Sequence, residues 1–106
     1  MIFERTDDFK RSFKRLAKRF PSLGKDLGNL LLQLQEDPFL GESLGDNCYK
    51  IRLAIKSKNK GKIGGARVLT CVKIVNDTIH LLDIYDKSEI DNVSDEYLAQ
   101  LRKDIE

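Results

Sequence analysis

The sequence predicts an α+β fold: a small single domain with two N-terminal helices (an αα-hairpin) packed on a 3–4-stranded antiparallel sheet, plus a C-terminal helix. Three observations predict it. Two apolar stripes at helical spacing fill the chain up to Asp37. At Tyr49 the hydrophobic period drops from about 3.6 to about 2. After Ser94 the helical period returns. The expected order is β-α-α-β-β-β-α, in one domain spanning residues 1–106.

Residues 1–5 alternate weakly and lack Gly and Pro, which suits a short strand at the edge or in the middle of the sheet. Thr6 stands at a helix N-cap position, and Asp7 and Asp8 place negative charge in the first turn. Phe9, Phe13, Leu16, Ala17 and Phe20 then form one stripe. Pro21 ends that helix. Ser22 is the expected cap of the next, whose stripe is Leu23, Leu27, Leu30, Leu31 and Leu34. Gly24 and Gly28 weaken it by about 1 kcal/mol each against Ala, and they suggest a close approach of the first helix.

Residues 38–47 contain Pro38, Gly41, Gly45 and Asn47 and read as a loop. Tyr49, Ile51, Leu53 and Ile55 alternate with Lys50, Arg52, Ala54 and Lys56, which predicts a half-buried strand with a basic outer face. Lys56 to Gly65 reads as a basic arm. Arg67 to Val75 and Thr78 to Tyr85 make two more strands, joined by Asn76-Asp77 as a two-residue turn that lacks the usual Gly. Ser94 caps the last helix, which has Asp95 and Glu96 in its first turn and an apolar face of Tyr97, Leu98, Leu101 and Ile105.

Composition narrows the function classes. No apolar run approaches the ~18 residues of a membrane span, and the first residues lack the apolar core of a signal peptide. The expectation is a cytoplasmic protein with no membrane partner. Cys48 and Cys71 sit in strand-like surroundings and read as two small buried thiols. With a single histidine, His80, they make no zinc site of familiar spacing, so neither metal nor cofactor is expected. His80 itself, among Ile79, Leu81 and Leu82, reads as structural. Gly61, Gly64 and Gly65 do not form a P-loop. The acidic residues of the C-terminal third show no metal-loop spacing and read as solubilising surface.

Charge is distributed unevenly. Residues 1–46 hold eight basic and eight acidic residues, residues 47–76 eight basic and none acidic, and residues 77–106 three basic and nine acidic. The middle third therefore carries a patch that attracts phosphate backbones. Lys50 and Arg52 share one strand face at about 6.5–7 Å, close to the spacing of successive phosphates, and Arg67 joins them from the next strand. Clustered cations disfavour one another's charged form, so a lysine among them can accept a proton near neutral pH. Arginines stay charged and brace a phosphate oxyanion with forked hydrogen bonds. Those parts suffice for RNA cleavage without metal or histidine: the 2′-hydroxyl attacks the adjacent phosphate, a lysine takes its proton, and arginines hold the transition-state charge. The residues alone leave two other readings open, nucleic-acid binding without chemistry and a plain solvated face.

At Cys48-Tyr49-Lys50-Ile51-Arg52 the chain resembles the RelE/ParE superfamily of toxins from bacterial type II toxin–antitoxin systems. The likeness continues through Gly61-Lys62-Ile63-Gly64-Gly65-Ala66-Arg67-Val68 and Leu82-Asp83-Ile84-Tyr85-Asp86-Lys87-Ser88-Glu89. It is most similar to the RelE/HigB-like branch, with its long basic arm and GK-x-GG-x-R signature. The resemblance implies a ribosome-dependent mRNA endonuclease (an mRNA interferase), with the ribosome, mRNA and a cognate antitoxin as partners. It implies catalytic roles for Lys50, Arg52, Arg67 and Lys87. It places Lys56, Lys58, Lys60, Lys62, Tyr85 and Ser88 at the RNA and ribosome surface. This chain departs from the pattern at Arg52, where some members carry a second lysine, and at Ser88, where some carry an arginine. Ser94 falls near a tyrosine that stacks on the substrate base, a role open to Tyr85 or Tyr97. The ParE branch shares the fold without the basic set, so a gyrase-binding toxin is the alternative, beside a non-catalytic RNA-binding domain.

Overall fold

The computed structural model describes residues 1–58, 65–90 and 92–106, Lys58 by its backbone alone. Helix α1 runs Asp7–Arg19 and starts where the sequence places it, with the Phe9 N–H donating to Thr6 Oγ1 at 3.1 Å. Phe9 and Leu16 point inward and are fully buried. Helix α2 runs Leu23–Glu36 and buries Leu23, Leu27, Leu30 and Leu34.

Ser22 does not cap α2 with its side chain. Its hydroxyl donates to Asp26 Oδ2 (2.7 Å) and accepts from the Ser57 N–H (2.8 Å), so it ties the helix to the chain beyond the first basic strand. Gly24 and Gly28 mark no close approach either. Both lie on the outer side of α2, where an added Cβ would meet nothing within 4 Å.

The sheet has five strands rather than three or four: β1 (Ile2–Arg5), β2 (Glu42–Gly45), β3 (Cys48–Leu53), β4 (Ala66–Lys73) and β5 (Thr78–Asp86), in the order β1-β5-β4-β3-β2. It is also not purely antiparallel. β1 lies at one edge and pairs parallel with β5, from Ile2↔Thr78 to Arg5↔Leu81. Thr6 fixes that placement, because its N–H bonds Leu81 O at 3.2 Å while its hydroxyl lies within reach of Leu81 O and Leu82 O. The chain therefore enters α1 directly over the sheet. β2 falls inside the expected loop. It exists because Gly45, Asp46 and Asn47 all take positive φ (90°, 53° and 61°), which folds Glu42–Gly45 back onto β3.

The β4–β5 connection also differs from expectation. Lys73↔Thr78 is the last pair, and Ile74–Asp77 form a four-residue loop. A two-residue primed turn needs positive φ at its first central residue (type II′) or at both (type I′), and of Asn76 and Asp77 only the second adopts it (52°).

Both faces of the sheet carry a buried apolar cluster, each covered by a different partner. On one face Ile51, Val68, Ile79, Leu81 and Ile84 meet the apolar stripes of α1 and α2. On the other, Cys48, Leu69, Cys71, Leu82 and Tyr85 meet Leu98 and Leu101 of helix α3 (Asp95–Arg102), which Ser94 caps through the Tyr97 N–H at 3.0 Å. Cys48 and Cys71 are register partners, buried and unbridged. The neighbouring Cys71 thiol and burial push the Cys48 thiol above its usual range. Among the described residues no helix is long and apolar enough to cross a membrane.

Candidate nucleic-acid interface

Alternation along β3 sends Cys48, Lys50 and Arg52 to the face that carries α3, and the helix covers only the Cys48 end. Lys50 stands opposite Leu69, Arg52 opposite Arg67, and Arg67 opposite Tyr85. The uncovered part of this face is a cleft of about 570 Å³. Lys50, Arg52, Arg67, Tyr85 and Lys87 line it, with Ile90 and Leu40 at its rims. The fold thus brings together the four residues expected to be catalytic. The site is a cleft and not an open face: the Lys50 side chain is only 20% exposed.

Two of the four cations are anchored from behind. Arg67 Nη1 donates to Ala66 O at 3.1 Å. Lys87 begins the turn after β5, and its N–H bonds Gly65 O at 3.1 Å. Gly65 fits there because an added Cβ would lie 2.4 Å from Leu53 O. The turn closes on itself, since the Glu89 N–H donates to Asp86 O and the Asp86 N–H to Glu89 Oε1. Two arginines of α1 pin it: Arg15 bonds Glu89 at 2.8 Å, and Arg19 lies 3.6 Å from Asp86. Lys87 is therefore carried on an anchored turn.

The aromatic candidates separate. Tyr85 lines the cleft but is only 3% exposed. Burial pushes its phenol above the usual range, and Arg67 works against that shift. Tyr97 is committed elsewhere, because its hydroxyl donates to the buried Asp83 carboxylate beneath α3. Burial and that hydrogen bond push the Tyr97 phenol up as well. Of the two, Tyr85 is the aromatic present in the cleft.

The remaining expected residues lie apart. Ser88 is exposed but does not line the cleft, and its N–H bonds Asp86 Oδ1 at 3.2 Å. Lys56 opens a short 3₁₀ turn (Lys56–Lys58) beside α2, outside the cleft. Lys60, Lys62 and the Lys58 side chain lie outside the described residues.

Glu42 also belongs to the cleft, and the sequence alone does not point to it. It sits on β2 opposite Lys50, lines the cleft, and brings Oε1 to 3.6 Å from Lys50 Nζ. The long acid-free stretch suggested a purely cationic site, yet the hairpin folds an acid back into it. The signal was Asp46-Asn47, two residues that tolerate positive φ, placed between Leu44 and Tyr49. Among the described residues no group of three or more His, Cys, Asp or Glu is placed to hold a metal ion.

No protein-family model matches the chain, and no curated protein matches it by sequence. The fold does match a solved structure of the E. coli toxin RelE, a mutant with two arginines replaced by alanine, in the free state. The TM-score is 0.63 over 99% of this chain and 97% of that one, at 18% identity. The chain has a RelE-like fold.

Proposed function

We propose that this protein is the toxin of a type II toxin–antitoxin system and cuts mRNA on the ribosome without a metal. The observation that carries the reading is the convergence of Lys50, Arg52, Arg67 and Lys87, with Tyr85, in one cleft of a RelE-like fold. Four cations around a space of about 570 Å³ suit a phosphodiester flanked by sugar and base.

In this reading Lys50 is the general base. It removes the proton of the 2′-hydroxyl as that oxygen attacks the adjacent phosphorus. Arg52 and Arg67, facing each other across β3 and β4, grip the non-bridging oxygens and stabilise the charge that builds there. The bond from phosphorus to the 5′-oxygen breaks. Lys87, at the far wall of the cleft, stands by the departing oxygen and supplies its proton. The products are a 2′,3′-cyclic phosphate and a 5′-hydroxyl. Glu42 pairs with the Lys50 ammonium while the cleft is empty, and Lys50 acts as the base only as the neutral amine, after that ammonium has given its proton to solvent. Tyr85 packs at the floor of the cleft, beside the sugar or base.

The partners of this reading are the ribosome with its mRNA, and an antitoxin whose acidic amphipathic helix covers the basic cleft. Inducing the chain in a bacterium, mapping mRNA 5′ ends and measuring DNA supercoiling in the same cells tests it. New 5′ ends within translated codons, at normal supercoiling, are expected. Altered supercoiling with intact mRNA would replace this account with gyrase poisoning.

A further inference from the structure

Beside the cleft lies a second depression, of about 270 Å³, between α2 and the root of the basic arm. Its apolar floor is Leu30 and Leu53; its polar walls include Asn29 and Gln33 from α2, with Arg52 and Lys56 from the chain end of β3. We propose that this depression seats one base of the single-stranded RNA next to the scissile phosphate, and that Asn29 and Gln33 read that base. The proposal rests on the RNA-cleaving reading and adds a specificity subsite to it.

Several observations carry it. Arg52 lines both depressions, so they meet at this residue on the β3 edge. β2 pairs with β3 only as far as Lys50, which leaves the β3 edge at Arg52 uncovered by any described strand. A polynucleotide gripped by Arg52 in the cleft thus has an open path past that edge onto α2. The volume is smaller than the roughly 300–1,000 Å³ of pockets for drug-sized ligands, and suits a single base.

The chemistry of the wall fits a base edge. Asn29 and Gln33 are four residues apart on the exposed side of α2, about 5–6 Å between Cβ atoms. Each amide offers a donor and an acceptor together, the pairing that reads a base on its hydrogen-bonding edges. Neither side chain makes a hydrogen bond among the described residues, whereas Gln35 on the same helix spends its amide on Met1. The basic rim is fixed as well. Asp26 Oδ2 accepts from the Lys56 N–H at 3.1 Å, and Ser22 Oγ accepts from the Ser57 N–H at 2.8 Å. Asp26 also lines the depression, but it is 3% exposed and its Oδ2 is already taken by the Ser22 hydroxyl and the Lys56 N–H. Lys56 is left at the rim, where the next phosphate would lie.

The test maps cleavage sites on ribosome-bound mRNA in a purified translation reaction, for the natural chain and for Asn29→Ala with Gln33→Ala. Both positions are exposed and lie outside the residues that act on the scissile phosphate. The natural chain should prefer one base at a position flanking the cut. The double variant should melt at the same temperature and still cleave, with that preference reduced about tenfold, the loss of one good base contact. An unchanged preference in a cleaving variant, or no preference in the natural chain, overturns the subsite alone. No cleavage by the natural chain overturns the RNA reading and the subsite together.

Discussion

Arg52 and Arg67 are register partners across β3 and β4, and both side chains enter the same cleft. Like charges placed directly opposite on a sheet destabilise it by a few tenths to about 1 kcal/mol. The arrangement stores a small cost in the free protein that a bound phosphate relieves. Arg52→Gln should therefore leave stability to urea unchanged or raise it by up to about 1 kcal/mol, while weakening binding of single-stranded RNA. Added inorganic phosphate should stabilise the natural chain more than the variant. A clear loss of stability in the variant would show that the pair is not repulsive.

Two glycines should respond with opposite signs. Gly41 has φ +107°, and a Cβ there would lie 2.6 Å from Lys50 O, where β2 begins its return along β3. Gly41→Ala should cost about 1–3 kcal/mol and reduce activity, because it pushes Glu42 and the β3 edge out of place beside Lys50. Gly24 is helical with open space around it, so Gly24→Ala should stabilise by up to about 1 kcal/mol. Denaturant melts of the two variants check both signs.

The turn that carries Lys87 should loosen in acid. Burial alone would raise the Glu89 carboxyl, but Arg15 and the Asp86 N–H outweigh it and hold Glu89 below its ordinary value of 4.5. A folded value below the unfolded one gives stability that is present above about pH 4.5 and lost as pH falls through the folded value. Glu89→Gln should cost no more than about 1 kcal/mol at neutral pH, since the pair is solvent-screened. The difference from the natural chain should close as pH falls below 4.5 and the folded protein's Glu89 takes up its proton. Stability curves of the two proteins from neutral to acid pH measure it, and a difference that widens in acid would contradict the assignment.

Much of the fold could be read from local signals, because periodicity and caps are local. Thr6 and Ser94 cap as their positions suggest, and the alternation from Tyr49 gives both the strand and the side on which Lys50 and Arg52 lie. The misses need long-range information. Nothing near Ser22 indicates that its hydroxyl serves Ser57 and Asp26, thirty-five residues away in one case, in place of the helix end. The parallel pairing of β1 depends on Thr6 meeting Leu81. In the cleft, the basic residues were legible as a cluster of one sign. Glu42 was not, because it reaches Lys50 only through a hairpin made by residues with positive φ. The choice between Tyr85 and Tyr97 also waited on the fold, since only Asp83 beneath α3 shows that Tyr97 is engaged.

The proposed cleavage chemistry centres on Lys50 and Arg67. The direct measurement is the chemical nature of RNA ends made in a purified translation reaction, by the natural chain and by Lys50→Ala with Arg67→Ala. Both side chains line the cleft and not the apolar core, and the double variant loses the Lys50 contact to the exposed Glu42 and the Arg67 bond to Ala66 O, so it should still fold, at a cost of about 1–2 kcal/mol. The natural chain should produce 5′-hydroxyl and 2′,3′-cyclic phosphate ends only when ribosomes are present, and the folded double variant should produce none. Cleavage by the folded double variant at the natural rate, or products ending in 5′-phosphate, would contradict the assignment of this cleft.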